Sequence, residues 1–162
     1  MPHADFTRYT VPGWGVGELW TRDGVVLAHD FFFDAGLSPE PAPDPPSSVA
    51  EDVVVRVRGF LDGEEVAFSD VELDLEWCTP FQRAVAETLR AVSRGEVVSY
   101  GELAALAGYP GAARAVGTFC AENRHAFVVP CHRVVSAHGI GGYGSAGVEV
   151  KRRLLALEGV TL

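Results

Sequence analysis

Cysteine is scarce in this chain: Cys78, Cys120 and Cys131 are the only three among 162 residues. An odd number with no CxxC spacing excludes a disulfide framework and fits a reducing compartment, so the cytoplasm is the expected location. No cysteine precedes Cys78, so the first half can hold no thiolate-bound zinc. Cys120, His125, Cys131 and His132 are conceivable as a zinc set, but their spacings match no common ligand pattern. No apolar run is long enough to span a bilayer, and no secretory signal pattern opens the chain. The glycine-rich residues 139–144 lack a following Gly-Lys-Ser/Thr, which excludes a phosphate loop. There is no internal repeat.

Basic charge is also in short supply. Thirteen Lys and Arg face 22 Asp and Glu, a net charge of −9, and that sum alone argues against a nucleic-acid partner. Its distribution reverses the inference. Residues 1–76 carry 16 acidic and 4 basic side chains, a net −12, whereas residues 77–162 carry 6 and 9, a net +3. Such asymmetry suggests two parts with different tasks, unless the acidity is simply a solubilising surface. The 48% apolar content suffices for one core or two small ones. The expected domains are 1–76 and 77–162.

Residues 14–20 and 25–33 read as strands joined by Asp23-Gly24, a hairpin signal. Residues 38–47 are proline-rich and polar and read as a loop. Over 48–61, Val53-Val54-Val55 has strand propensity. Yet Val49, Val53, Val57, Phe60 and Leu61 share a helical face, and Ser48-Val49-Ala50-Glu51 has the form of a capping box. A helix is predicted, stopped by Gly63. Residues 66–75 alternate weakly and predict a third strand.

After Cys78 the grammar changes. Thr79-Pro80-Phe81-Gln82 and Ser99-Tyr100-Gly101-Glu102 are capping boxes, the first with proline at the favoured position. One opens a helix carrying Phe81, Val85, Leu89 and Val92 toward Gly95; the other opens a short helix ending at Gly108. After the Pro110-Gly111 turn, residues 112–122 predict a small-residue helix, and the pair resembles a helix-turn-helix. A last helix is predicted over 148–157, with Gly159 as its stop.

The chemistry concentrates at Pro130-Cys131-His132-Arg133-Val134, after the apolar, strand-like run Ala126-Phe127-Val128-Val129. Cysteine attacks as thiolate, and nearby imidazole or positive charge lowers its pKa. A free cysteine is more usually a packing residue; His132 and Arg133 set Cys131 apart. In an extended strand Cys131 and His132 would face opposite ways, so their cooperation needs a sharp turn or a bridging water. The same adjacency disfavours a cysteine hydrolase, whose histidine comes from far along the chain. Arg114 stands among Ala112, Ala113, Ala115 and Gly117: either one long cation on a surface that approaches a partner closely, or a solvated side chain on a helix packed tightly against a neighbour. The glycines of 139–144 read by themselves as a plain flexible loop, though they would also let backbone amides approach a flat ligand.

Together these segments resemble one family, the methylated-DNA–protein-cysteine methyltransferases, also called O6-alkylguanine-DNA alkyltransferases. The likeness covers 79–159 through TPFQ, VSYGELAALAG, ARAVG, Asn123, PCHRVV, GGY and LLALEG, and reaches weakly into GWGVGELWTRDGVVLA. It implies an α+β protein: a small antiparallel sheet with a helix, resembling ribonuclease H, followed by a helical domain containing the helix-turn-helix. It implies DNA repair by irreversible transfer of an alkyl group from O6 of guanine to Cys131, once per molecule. The partner would be double-stranded DNA, the protein a monomer. The resemblance implies neither a metal nor an organic cofactor.

The resemblance also implies roles. His132 would act through a water as the base, Glu158 would orient it, and Asn123 would hold the turn carrying the active-site segment. Tyr100 and Tyr143 would meet the flipped base, and Val134 and Gly144 would read the guanine edge with main-chain groups. Arg114 would enter the duplex in place of the extruded nucleotide, with Ala112 and Ala113 close to the backbone. Arg133, grouped with these DNA-side residues, would tie the active-site segment to its surroundings. Ser145-Ala146 stands where the family has Gly-Gly, which would narrow the pocket toward methyl, and Arg124 follows Asn123 where proline is common. A net +3 predicts modest affinity with a shallow salt dependence. Two rivals differ in class: an alkyltransferase-like protein that binds damaged DNA without reacting, whose relatives lack the cysteine, and a helix-turn-helix alkylation-responsive regulator, which would need a second reader domain.

Overall fold

A computed structural model describes residues 4–34, 36 and 45–162. Most of the loop expected over 38–47 therefore lies outside the described residues. The chain is an α+β protein that divides into two compact units, Met1–Asp74 with Arg124–Ala126, and Leu75–Asn123 with Phe127–Leu162.

In the first unit, β1 (Asp5–Val11), β2 (Gly15–Arg22) and β3 (Val25–Phe32) form an antiparallel meander. Asp23 and Gly24 both have positive φ, +51° and +80°, the conformation a two-residue hairpin with matched twist requires. β1 is absent from the sequence reading for a physical reason. Its core-facing positions are Thr7, Tyr9 and Val11, while Phe6 lies on the other face and packs on its cross-strand partner Trp20 with ring centroids 5.0 Å apart. At Phe6 and Thr7 polarity and burial are exchanged, which hides the alternation.

Gly17 is paired with Tyr9, and any Cβ there would collide with the Tyr9 ring. The space lets the Tyr9 hydroxyl reach Nε2 of His29 at 2.6 Å, while Nδ1 of His29 meets the Ala126 carbonyl at 2.9 Å. A carbonyl only accepts, so Nδ1 carries the hydrogen. Burial pushes His29 down to about 4; the ring is neutral, and the Tyr9 hydroxyl donates to it. Backbone bonds from His29 N to Arg124 O (2.7 Å) and from Ala126 N to His29 O (3.0 Å) complete the join between residues 124–126 and β3.

Helix α1 (Ser48–Leu61) buries Ala50, Val53, Val57 and Phe60 and packs on the sheet. Its cap differs from the predicted box by one residue. The N-cap is Ser47, which accepts from the Ala50 N–H at 3.2 Å and also meets Thr21 Oγ1 at 2.9 Å. Residues 66–75 do not form the predicted strand. They touch β3 at a single bridge, Val26 with Leu73. Arg56 of α1 instead holds the segment through the Ala67 carbonyl (2.9 Å) and both Asp70 oxygens (2.6 and 3.0 Å).

The second unit contains α2 (Pro80–Arg90), β4 (Val98–Ser99), α3 (Tyr100–Leu106), α4 (Ala113–Ala121), a single 3-10 turn (Cys131–Arg133), β5 (Val134–Val135) and α5 (Val148–Leu157). Both capping boxes form: Thr79 with Gln82, and Ser99 with Glu102. Phe81 and Tyr109 pack edge to face at 4.9 Å, and Leu89, Leu103, Val116 and Leu154 are fully buried. α3 and α4 pack on each other. The strand-like run before Cys131 is not a strand. Phe127 is buried with φ +67°, a conformation costing on the order of 1–3 kcal/mol for a residue with a side chain, and residues 127–129 turn. Among the described residues, no helix is long and apolar enough to cross a membrane.

Candidate active site

Pro130 bends the chain immediately before Cys131 and His132. Its φ of −81° and ψ of 69° make it the centre of an inverse γ-turn, a conformation its ring favours. The Cys131 N–H closes that turn on the Val129 carbonyl at 2.8 Å, and the Arg133 N–H bonds Pro130 O at 2.9 Å. The chain curls tightly here instead of running extended. Asn123 Nδ2 donates to the same Val129 carbonyl at 3.0 Å, holding the turn from beneath.

Behind the turn stands Glu158, the C-cap of α5. Its carboxylate accepts from His132 Nε2 (3.0 Å) and from Arg133 Nη2 (2.7 Å) and Nε (3.0 and 3.2 Å). Burial opposes the charge, but the hydrogen bonds from His132 and Arg133 outweigh it and hold Glu158 at about 2. Burial pushes His132 below its ordinary value despite that carboxylate. The pair at neutral pH is thus an imidazole beside a carboxylate. Nε2 donates to Glu158, and Nδ1 keeps the lone pair that a base needs.

Cys131 lines a cavity of about 140 Å³ with Tyr100, Gly117, Cys120, Tyr143 and Gly144. The parallel pairing of β4 with β5 seats Tyr100 there, since Ser99 is matched with Val135. Cys131 is only 5% exposed. Its pKa is not lowered as expected but raised, first by a hydrogen bond with the Cys120 thiol, then by burial. Lys151 and the Asn123 amide oppose that rise. The ground state is a neutral thiol with thiolate-stabilising groups already in place.

Residues 80–160 match the family model described as the DNA-binding domain of 6-O-methylguanine DNA methyltransferase. The methylated-DNA–protein-cysteine methyltransferase of Methanothermobacter thermautotrophicus is 35% identical over 147 residues, covering 91% of this chain and 81% of the relative. The chain belongs to the methylated-DNA–protein-cysteine methyltransferases. A crystal structure of Mycobacterium tuberculosis OGT in complex with DNA superimposes with a TM-score of 0.79 at 37% identity, covering 95% of this chain and 92% of that one. The O6-methylguanine-DNA methyltransferase of Pyrococcus kodakaraensis gives 0.69 at 32% identity, over 98% and 100%.

Within this methyltransferase fold, Arg114 is exposed at the start of α4, with Ala112 as its N-cap and Ala113 as its first residue. Ser145 is exposed, bridged to Tyr143 in the glycine-rich loop, and Val134 is fully buried, its carbonyl accepting from Lys151. Arg133, grouped with the DNA-side residues, joins the active-site turn to two other segments of this unit. Besides Glu158, its guanidinium bonds the Val92 carbonyl at 2.7 Å, and its side chain is 12% exposed. Its donors are used internally. Among the described residues, no three His, Cys, Asp or Glu side chains gather as a metal would require.

Two residues of the site went unassigned in the sequence. Cys120 figured there only as a conceivable metal ligand. Lys151, the sole lysine of the chain, is fully buried and bonds the carbonyls of Val134 (2.5 Å) and Gly142 (2.9 Å), 5.7 Å from the Tyr100 ring centre. Burial lowers it to about 8 while the two thiols resist. The readable signal was a cation three and four residues before Leu154 and Leu155, on the core face of an amphipathic helix.

Proposed function

We propose that this protein repairs O6-alkylguanine in double-stranded DNA by taking the alkyl group onto Cys131, irreversibly and once per molecule. The observation that carries the reading is Cys131 facing a small cavity at a tight turn, with the His132–Glu158 pair beside it, in a chain of this family. The sulfur attacks the alkyl carbon, the carbon–oxygen bond breaks, and its electron pair stays with guanine. The thiol proton leaves through a water to Nδ1 of His132, and guanine takes up one proton in exchange. Glu158 fixes the tautomer of His132, Asn123 fixes the turn, and Lys151 stabilises the developing thiolate.

The alkylated atom lies within the base stack, so the nucleotide must be extruded, at a cost of about a few kcal/mol. Arg114, exposed on a helix whose neighbours are alanines, suits insertion into the gap, with α3 and α4 acting as a helix-turn-helix. Tyr100, Tyr143, Gly144 and Ser145 would receive the base. A thioether has no evident reversal, which makes the reaction single-turnover. A monomer acting in the cytoplasm completes the reading. Cys131 itself disfavours a non-reacting binder of damaged DNA.

Intact mass after incubation with a methylated duplex is the direct test. A gain of one methyl group mapped to Cys131 is expected, and none in Cys131→Ser. Transfer by that variant, or a methyl group elsewhere, overturns the assignment.

A further inference from the structure

Cys120 is the feature of the cavity that alkyl transfer leaves unused. It sits on α4, partly exposed, and lines the same cavity as Cys131. Both thiols open onto one cavity of only about 140 Å³, which keeps the two side chains close to each other. A partly exposed thiol beside a second one is the arrangement in which oxidation is caught as a disulfide before it goes further.

We propose that Cys120 and Cys131 form a reversible disulfide when the protein meets a peroxide, a masked state from which a thiol reductant recovers the acceptor. The more exposed Cys120 takes one oxygen from the peroxide and becomes a sulfenic acid, releasing water. Cys131 then displaces a second water from that sulfur as the sulfur–sulfur bond forms. Two thiols and one hydrogen peroxide thus give one disulfide and two waters; the sulfurs lose two electrons and the peroxide gains them. Lys151 and the Asn123 amide, which favour the thiolate of Cys131, assist its attack. Without Cys120, oxidation of Cys131 would continue to the sulfinic acid, which a thiol does not reverse. The masked state also cannot accept an alkyl group, because the nucleophilic sulfur is bonded.

The test uses the full chain treated with hydrogen peroxide, its remaining thiols blocked, and digested without reduction. A crosslinked peptide pair joining Cys120 to Cys131 is expected, with an intact mass lower by two hydrogens. Transfer to methylated duplex should be lost and then regained on adding dithiothreitol. In Cys120→Ser the fraction of its own starting transfer regained should be severalfold smaller. Absence of the crosslink, a crosslink to Cys78 instead, or equal recovery in the variant overturns the proposal. The crosslink is read without any DNA, so its outcome stands apart from the assignment of alkyl transfer.

Discussion

At Glu158 one carboxylate serves two partners, and their separate demands predict a specific phenotype. Arg133 needs a counter-charge, and His132 needs an acceptor that fixes its tautomer. Glu158→Gln preserves the volume and removes the charge. Losing one member of a buried ion pair costs about 3–5 kcal/mol when the other stays buried; Arg133 is slightly exposed, so the lower end is expected. The kinetic effect is separable. The carboxylate is what raises His132 against burial, so without it His132 becomes a weaker base. Transfer at neutral pH should slow on the order of 100-fold, and the acidic limb of the rate profile should move to lower pH. A variant that is merely less stable would keep the wild-type profile, and that result removes Glu158 from the proton relay.

At the level of elements, the caps make the sharpest comparison. Ser47 accepts the Ala50 N–H, whereas Ser48 is the first helical residue. Ser47→Ala should therefore cost about 1 kcal/mol in urea melts and Ser48→Ala much less; equal effects would contradict the observed register. For α4, Arg114→Ala should slow repair of duplex far more than reaction with free benzylguanine, since only duplex needs the gap filled. Equal losses on both would exclude insertion. What the sequence revealed about these elements follows from where local chemistry decides structure. Thr79 and Ser99 announced α2 and α3 because a capping box is a local bargain between residues three apart. The strand β1 stayed hidden because two of its three inward residues, Thr7 and Tyr9, carry hydroxyls while its phenylalanine points outward. Residues 66–75 were misread because their partner is Arg56, a contact made across α1 that no alternation encodes. The site was legible in Cys131, His132 and Glu158 through family likeness. The protonation of Cys131 was not, since it depends on burial and on Cys120 and Lys151 arriving from two other helices.

At the scale of the whole molecule, buried imidazoles make stability fall with acid. His29 is neutral in the fold, its pKa down at about 4 against an ordinary 6.5. The unfolded chain takes up a proton as pH drops through 6.5, but the folded chain does not until about 4, so stability is full above that window and drains away within it. The displacement is worth on the order of 3 kcal/mol. Tyr9 and the Ala126 carbonyl hold the ring in its neutral form, and His125 adds repulsion against a charge. His132 acts with the same sign, and Glu158 extends the loss to lower pH as its carboxylate is finally protonated near 2. Two effects oppose this. Asp30 has a raised pKa, first from burial, and so favours the fold as acid protonates it, and the net charge of −9 eases as carboxylates are neutralised. Exposed charges are screened within about 8 Å at 0.15 M salt, buried ones far less, so the buried histidines should win there. Urea midpoints at that salt should fall from pH 7.5 to pH 4.5. His29→Gln should be weaker at pH 7.5, having lost the paired ring, yet show a flatter decline for the first unit. A variant keeping the full wild-type slope would place the acid sensitivity elsewhere.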